Sequence, residues 1–447
     1  MTRSSEKTDL LRIRRLRRRP LGQYRYVRLR WRVTFAVIDR IGTAVFAAAR
    51  VLQRWATGRT AVPPGTPPDP KVILLVQLDH LGDAIISTAM LPALRARYPQ
   101  ASIEVLSGAW NREMFEALPE VDRVHVSRVN RFARTGLPIG GTGNILLRMG
   151  RLAWIPATFY WGLILRRRKV ELGIDVRGEF PVALILWLCG ARRRLGWECG
   201  GGGFLLTDSA EFEADRPEVE SRAALLAALG IPPPPSGLQR PSFHPSAAAR
   251  RRIAQALAEL SGHEPTTGPL VVLHIGAGTP AKAWPVEHWR ELLGRIIVSH
   301  GAQVLLVGSP RDRIIADRIL GGRAWPGVAD WTGRLSIVEL AALFERADVL
   351  VGTDSGPAHL AAAVSTAVVV LFSGTNSPRQ WRPCGQQVRL LRHDVGCSPC
   401  HRAHCPRSGH PCMRLLQPRQ VAAEVEQVLL ERGGHSERRR GGEEVRR

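Results

Sequence analysis

The sequence predicts an α/β protein built from two doubly wound domains, each a parallel sheet with crossover helices. Three observations point there. The chain has 447 residues, more than one ordinary core accommodates. Apolar runs of strand length alternate with helical patterns along nearly all of it, as parallel strands joined by crossover helices require. Two proline-rich stretches, "AVPPGTPPDP" at 61–70 and "IPPPPSGLQRPSFHPS" at 231–246, interrupt that alternation like stiff linkers. The expected division is an arm and linker over 1–70, a first domain over 71–240, a second over 241–433, and a disordered tail over 434–447.

In the first domain, "KVILLVQLDHLGDAII" reads as a buried strand, a short loop and a helix that continues through Leu94. "ASIEVLSG", "VDRVHVS", "KVELGIDVRG" and "ARRRLGW" supply further strands. The second domain repeats the pattern: "PLVVLHIGAG" strand, "PVEHWRELLGRIIVSHG" helix, "AQVLLVGSP" strand and "RDRIIADRIL" helix. A short strand at Val328–Thr332, the helix "SIVELAALFERA", "DVLVGTDSG" with its helix, and the strand "AVVVLFSG" complete it.

Composition is globular, with 45% apolar and 23% charged residues. The formal charge is +24, and residues 1–60 hold 16 Lys and Arg against 3 acids. Such an arm suits anionic lipid, nucleic acid or acidic glycolipid; no nucleic-acid motif appears, so that partner is not expected. Within the arm Val33, Val37, Ile41, Val45, Leu52 and Trp55 share one helical side, and Arg32, Arg40, Thr43, Arg50 and Arg54 the other. This reads as a basic amphipathic helix lying in a membrane interface, or as one packed on the protein's own body. The 14-residue apolar run 152–165, bracketed by arginines, is too short to span a bilayer. It is either a core helix or an exposed apolar helix beside a lipid-linked substrate. Neither a transmembrane helix nor a signal peptide is expected. Cys397, Cys400, Cys405 and Cys412 are spaced C-x2-C-x4-C-x6-C, with His401, His404 and His410 interleaved. Zinc ligation and reduced structural cysteines are both open readings.

In doubly wound sheets, ligands gather beyond the carboxyl ends of the strands. Three loops qualify. "QLDHLGD" places Gly82 at a tight turn and Asp83 in the first turn of a helix, where an acid either caps or faces the interdomain cleft. "HIGAGTPAKAWP" offers Gly276, Gly278 and Thr279 for close approach to phosphates and Lys282 as a fixed cation. "VGTDSGPAHL" carries Asp354, then Ser355 and Gly356 at a helix start preorganised by Pro357, and His359 one turn in.

Taken in this order, with "VVVLFSGTN" and "CSPCHRAHCP" following, these motifs resemble the family 9 glycosyltransferases, the lipopolysaccharide heptosyltransferases, over most of 71–432. The resemblance implies a GT-B fold of two Rossmann-like domains facing a cleft. It further implies inverting, metal-independent transfer of a heptose from ADP-heptose to an anionic glycolipid such as the lipopolysaccharide core. By the same resemblance Asp83 is the base, Lys282 meets the donor diphosphate or sugar, and Asp354 meets the donor sugar. Gly356 and His359 lie at the diphosphate, with Gly276, Gly278, Thr279 and Ser355 in the donor loops. A cytoplasmic enzyme, peripheral on the inner membrane face, follows. The arm 1–60 and the segment 136–165 lie outside the family pattern, and Ala277 and Gly278 stand where the family often has hydroxyl residues. Another nucleotide sugar, or a catalytically silent relative, are the alternatives.

Overall fold

The computed structural model describes residues 24, 29–57, 69–128, 154–213, 215–232, 240–261 and 268–444. Most of the arm before residue 29, the linker 58–68, and residues 136–153 of the apolar segment lie outside the described residues.

The first sheet has six parallel strands in the order β3-β2-β1-β4-β5-β6. They are β1 Val72–Gln77, β2 Ser102–Gly108, β3 Arg123–Ser127, β4 Leu172–Asp175, β5 Arg193–Trp197 and β6 Asp208–Ala210. The second also has six parallel strands, ordered β12-β11-β10-β7-β8-β9. These are β7 Leu270–His274, β8 Gln303–Val307, β9 Val328–Asp330, β10 Val349–Thr353, β11 Ala367–Phe372 and β12 Val388–Arg392. Central strands such as β1, β10 and β11 are buried on both faces, which is why they read as unbroken apolar runs. The edge strands β6 and β12 went unread: "DSA" and "VRLLR" are short or charged and carry no such run.

The chain forms two compact units. One spans 1–80, 89–216 and 220–239; the other spans 81–88, 217–219 and 240–447. The helix Leu81–Thr88, which carries Asp83, therefore packs with the second unit although β1 just before it belongs to the first.

Helix α1, Leu29–Thr57, is part of the first unit. It docks through the side that carries Asp39 and Thr43. The buried Asp39 carboxylate accepts from the Tyr24 hydroxyl at 2.7 Å and from the Gly202 N–H at 2.6 Å. Phe46 meets Phe204 with ring centroids 5.3 Å apart. The four aliphatic residues Val33, Val37, Ile41 and Val45 share one side, as the spacing predicts, and face solvent, while Thr43 on the other side is buried, so it is the polar side of the helix that packs on the protein. The apolar run near 152–165 forms a helix, Trp154–Leu165, that buries Ala157, Thr158, Gly162 and Leu165 and exposes much of the rest. The last helix, Pro418–Glu444, enters the stretch for which composition predicts a tail. No helix among the described residues is long and apolar enough to cross a membrane.

Candidate functional site

Strands β7, β10 and β11 are neighbours, with Gly352 opposite His274 and Thr353 opposite Leu371. That register puts their carboxyl ends level, so three loops far apart in sequence leave the sheet side by side. After β7 come Gly276, Gly278, Thr279 and Lys282. After β10 come Asp354, Ser355 and a helix starting at Gly356, and after β11 come Ser373, Thr375 and Asn376.

Asp354 is the hub. It is buried, yet its Oδ2 accepts from Lys282 Nζ at 2.8 Å and from Asn376 Nδ2 at 2.9 Å. Lys282 also donates to the Asp354 carbonyl at 2.9 Å. A buried carboxylate needs such partners, since desolvation without them costs several kcal/mol, roughly. An ammonium has three N–H groups. Two are used on Asp354, which leaves one for a ligand oxygen among the described residues.

The loops are tied as well as adjacent. Thr353 Oγ1 donates to the Gly276 carbonyl at 3.0 Å, and Ser355 Oγ donates to the Thr353 carbonyl at 3.1 Å. Gly278 faces open space, with no other protein atom near where a Cβ would stand. Thr279 Oγ1 and His274 Nδ1 are buried without a partner among the described residues. Polar groups left this way are the exception in folded proteins and mark places where a ligand or water completes the bonding.

Helix α2, Leu81–Thr88, and helix α3, Gly356–Ala363, meet start to start. A Cβ added at Gly356 would stand 2.8 Å from Leu81 Cβ, and one at Gly82 would stand 3.2 Å from His359 Cδ2. Neither glycine has a positive φ, so the tight-turn reading of Gly82 is corrected: close approach of two helices demands these glycines. Two helix N-termini, each carrying a partial positive charge, converge here. Such a corner favours an anion. Asp83, in the first turn of α2, is buried to 9% exposure.

His359 lies in the first turn of α3. Burial lowers its pKa to about 4, with Asp354 pulling it up and Lys282 pushing it further down. Near pH 7 it is therefore a neutral imidazole with a single N–H to give. His274 is lowered to about 4 in the same way, mainly by burial.

The cysteine-rich segment walls this site. Cys400 N donates to the Gly374 carbonyl at 2.9 Å, and His401 N to the Thr375 carbonyl at 3.0 Å. His410 Nε2 meets the Ala281 carbonyl at 3.0 Å, one residue before Lys282. No three His, Cys, Asp or Glu side chains converge to hold a metal ion among the described residues.

All nine residues read as site candidates thus fall in the second unit, at these loops or on α2. Sequence reasoning missed Asn376 and His274. Both sat in quoted motifs at strand ends, and the signal was position: they follow or end the strands that flank β10.

A family model described as glycosyltransferase family 9 (heptosyltransferase) matches residues 162–410. Lipopolysaccharide heptosyltransferase 2 of Salmonella typhimurium is 26% identical over 371 residues, covering 81% of this chain and 99% of the relative. Its Escherichia coli counterpart is 27% identical over 369 residues, covering 80% and 99%. The solved structure of E. coli ADP-heptose LPS heptosyltransferase II superposes with a TM-score of 0.63 at 24% identity, covering 81% of this chain and 99% of that one. A family 9 glycosyl transferase from Veillonella parvula gives 0.64 at 20% identity, covering 81% and 98%. The fold is therefore that of the GT-B heptosyltransferases. With a family match that spans more than half of its length, the chain belongs to glycosyltransferase family 9 and is a glycosyltransferase.

Proposed function

We propose that this enzyme moves a heptose from ADP-heptose, with inversion and without a metal, to the lipopolysaccharide core or a similar anionic glycolipid at the cytoplasmic membrane face. The observation that carries the reading is the Lys282–Asp354–Asn376 cluster beside the start of α3, with the Asp83 helix packed against that start. Relatives along most of the chain carry the names of lipopolysaccharide heptosyltransferases, which supports the donor and the acceptor class.

In the reaction an acceptor hydroxyl attacks the anomeric carbon, and the bond from that carbon to the diphosphate oxygen breaks. The hydroxyl proton passes to Asp83, and the electron pair leaves on ADP. The diphosphate gains negative charge as it departs. The remaining N–H of Lys282, the N–H of neutral His359, and the backbone at Ser355 and Gly356 meet that charge in a fixed arrangement, and this is how such donors accelerate transfer. Gly276, Gly278 and Thr279 line the nucleotide side, and Asp354 orients both Lys282 and the sugar hydroxyls.

Two substitutions test the division of labour. Asp83→Asn keeps shape but loses basicity, so turnover falls by about 10² to 10⁴ while ADP affinity stays near the parent's. Lys282→Ala weakens ADP-heptose binding and turnover together. Calorimetric titration with ADP and ADP-heptose, beside transfer assays on a truncated glycolipid, reads both. Near-parental turnover in Asp83→Asn would leave Asp83 as a helix cap only. Normal binding and full activity in Lys282→Ala would displace the donor site.

A further inference from the structure

Eighteen large apolar side chains are exposed among the described residues, and fourteen of them fall on three helices of the first unit. Those helices are α1 and two that we label α4, Trp154–Leu165, and α5, Phe180–Leu188. They form a continuous row. Gly162 of α4 is pressed against Leu188 of α5, where a Cβ would have no room. Phe180 and Trp187 of α5 meet Phe35 and Phe46 of α1, with ring centroids 6.3 and 5.7 Å apart.

The inward side of the row is accounted for by packing. Leu165 of α4 and Val182, Ile185 and Leu186 of α5 cover Leu74, Val76 and Leu106 of the sheet, while Phe46 and Phe180 pack around Leu205. Among the described residues the outward side is not. On α1, Val33, Val37, Ile41 and Val45 repeat at every fourth residue and are 43–60% exposed. On α4, Phe159, Tyr160 and Leu163 are about half exposed, and Trp187 of α5 is 41% exposed. Solvated proteins rarely leave so much apolar surface together without a use for it.

Charge says what covers it. The three helices contain a single carboxylate, Asp39, and it is buried under Tyr24 and Gly202. Arg30 and Arg40 on α1 are exposed, as are Arg166 and Arg167 just after α4. An apolar face that carries exposed arginines and no exposed carboxylate on its three helices complements a surface with anionic head groups over a hydrocarbon interior. A second copy of the same face would set arginine against arginine with no exposed carboxylate on these helices to pair, so self-association is disfavoured.

We propose that the α4–α5–α1 face docks on an anionic phospholipid bilayer, with the helices lying in the interface plane. The inference deepens the reading of the acceptor as membrane-borne and rests on it for its biological sense. Its test is a binding measurement without turnover, so either idea can fail alone.

The experiment uses the full chain and vesicles of phosphatidylglycerol mixed with phosphatidylethanolamine, beside vesicles of phosphatidylcholine alone. The parent should sediment with the anionic vesicles, and less so at high salt. Val37→Glu combined with Leu163→Glu should weaken that partitioning by about tenfold or more, with melting temperature and turnover on a soluble acceptor unchanged. Should that variant melt early, Arg40→Glu with Arg167→Glu, at exposed positions, reports the same face through charge. Parent binding no stronger to anionic than to zwitterionic vesicles would overturn the proposal. So would variants that sediment like the parent, or variants that only convert an oligomer to a monomer.

Discussion

His359 lies beside Asp354 and His274 ends the neighbouring strand, and burial holds both near a pKa of about 4. In the unfolded chain a histidine titrates near 6.5. The folded state thus favours the neutral ring, and the unfolded state binds more protons over the interval between. By linkage, the stability tied to this preference is complete above about 6.5 and is lost as pH falls towards about 4. Glutamine keeps a similar shape and hydrogen bonding but does not titrate. His359→Gln should therefore narrow the drop in melting temperature between pH 7 and pH 4.5 relative to the parent. Scanning fluorimetry across that range checks it, and parallel curves would show that the ring's protonation is not coupled to folding. From sequence, His359 was legible as a polar residue on a helix start; its neutrality was not, because desolvation depends on what α2 lays over it.

Helix starts α2 and α3 form a contact that no local pattern announces. Gly82 and Gly356 look like turn glycines in the sequence, but each is small because the other helix is there. Gly356→Ala should force Leu81 and the following Asp83 to shift. Overpacking of this kind costs about 1–3 kcal/mol, and turnover should fall with it. Gly278→Ala, where the added methyl meets nothing within 4 Å, should leave stability nearly unchanged. Any loss of activity there would report ligand approach instead. Urea unfolding of the pair, with transfer rates, separates the two cases; equal stability losses would refute the distinction.

At the scale of the whole molecule, α1 is a fixed layer of the first unit and is no loose tether. Asp39 anchors it by accepting from Tyr24 and Gly202. Asp39→Ala removes the acceptor of the buried Gly202 N–H, and a buried donor left without its acceptor costs about 1–3 kcal/mol. We expect a lower melting temperature and protease cleavage within α1, with transfer to a soluble acceptor largely kept, because the candidate site lies in the second unit. Cleavage resistance equal to the parent's would mean that packing by Phe35 and Phe46 alone holds the helix.

Ten of the twelve strands, the parallel alternation and the three loops with Asp83, Lys282 and Asp354 were readable in the residues alone. Each is a local consequence of periodicity, of turn chemistry, or of a helix start that wants an acid or a small residue. Which loops become neighbours is not local. Strand order set β7 and β11 on either side of β10, and this is what brought Asn376 to Asp354 and set His274 beside Gly352. Likewise, the sequence determined that α1 is amphipathic and basic, yet tertiary structure decided which side is buried. The side that carries Asp39, Phe35 and Phe46 meets Gly202, Phe180, Trp187 and Phe204, residues far along the chain that no local pattern in the helix announces.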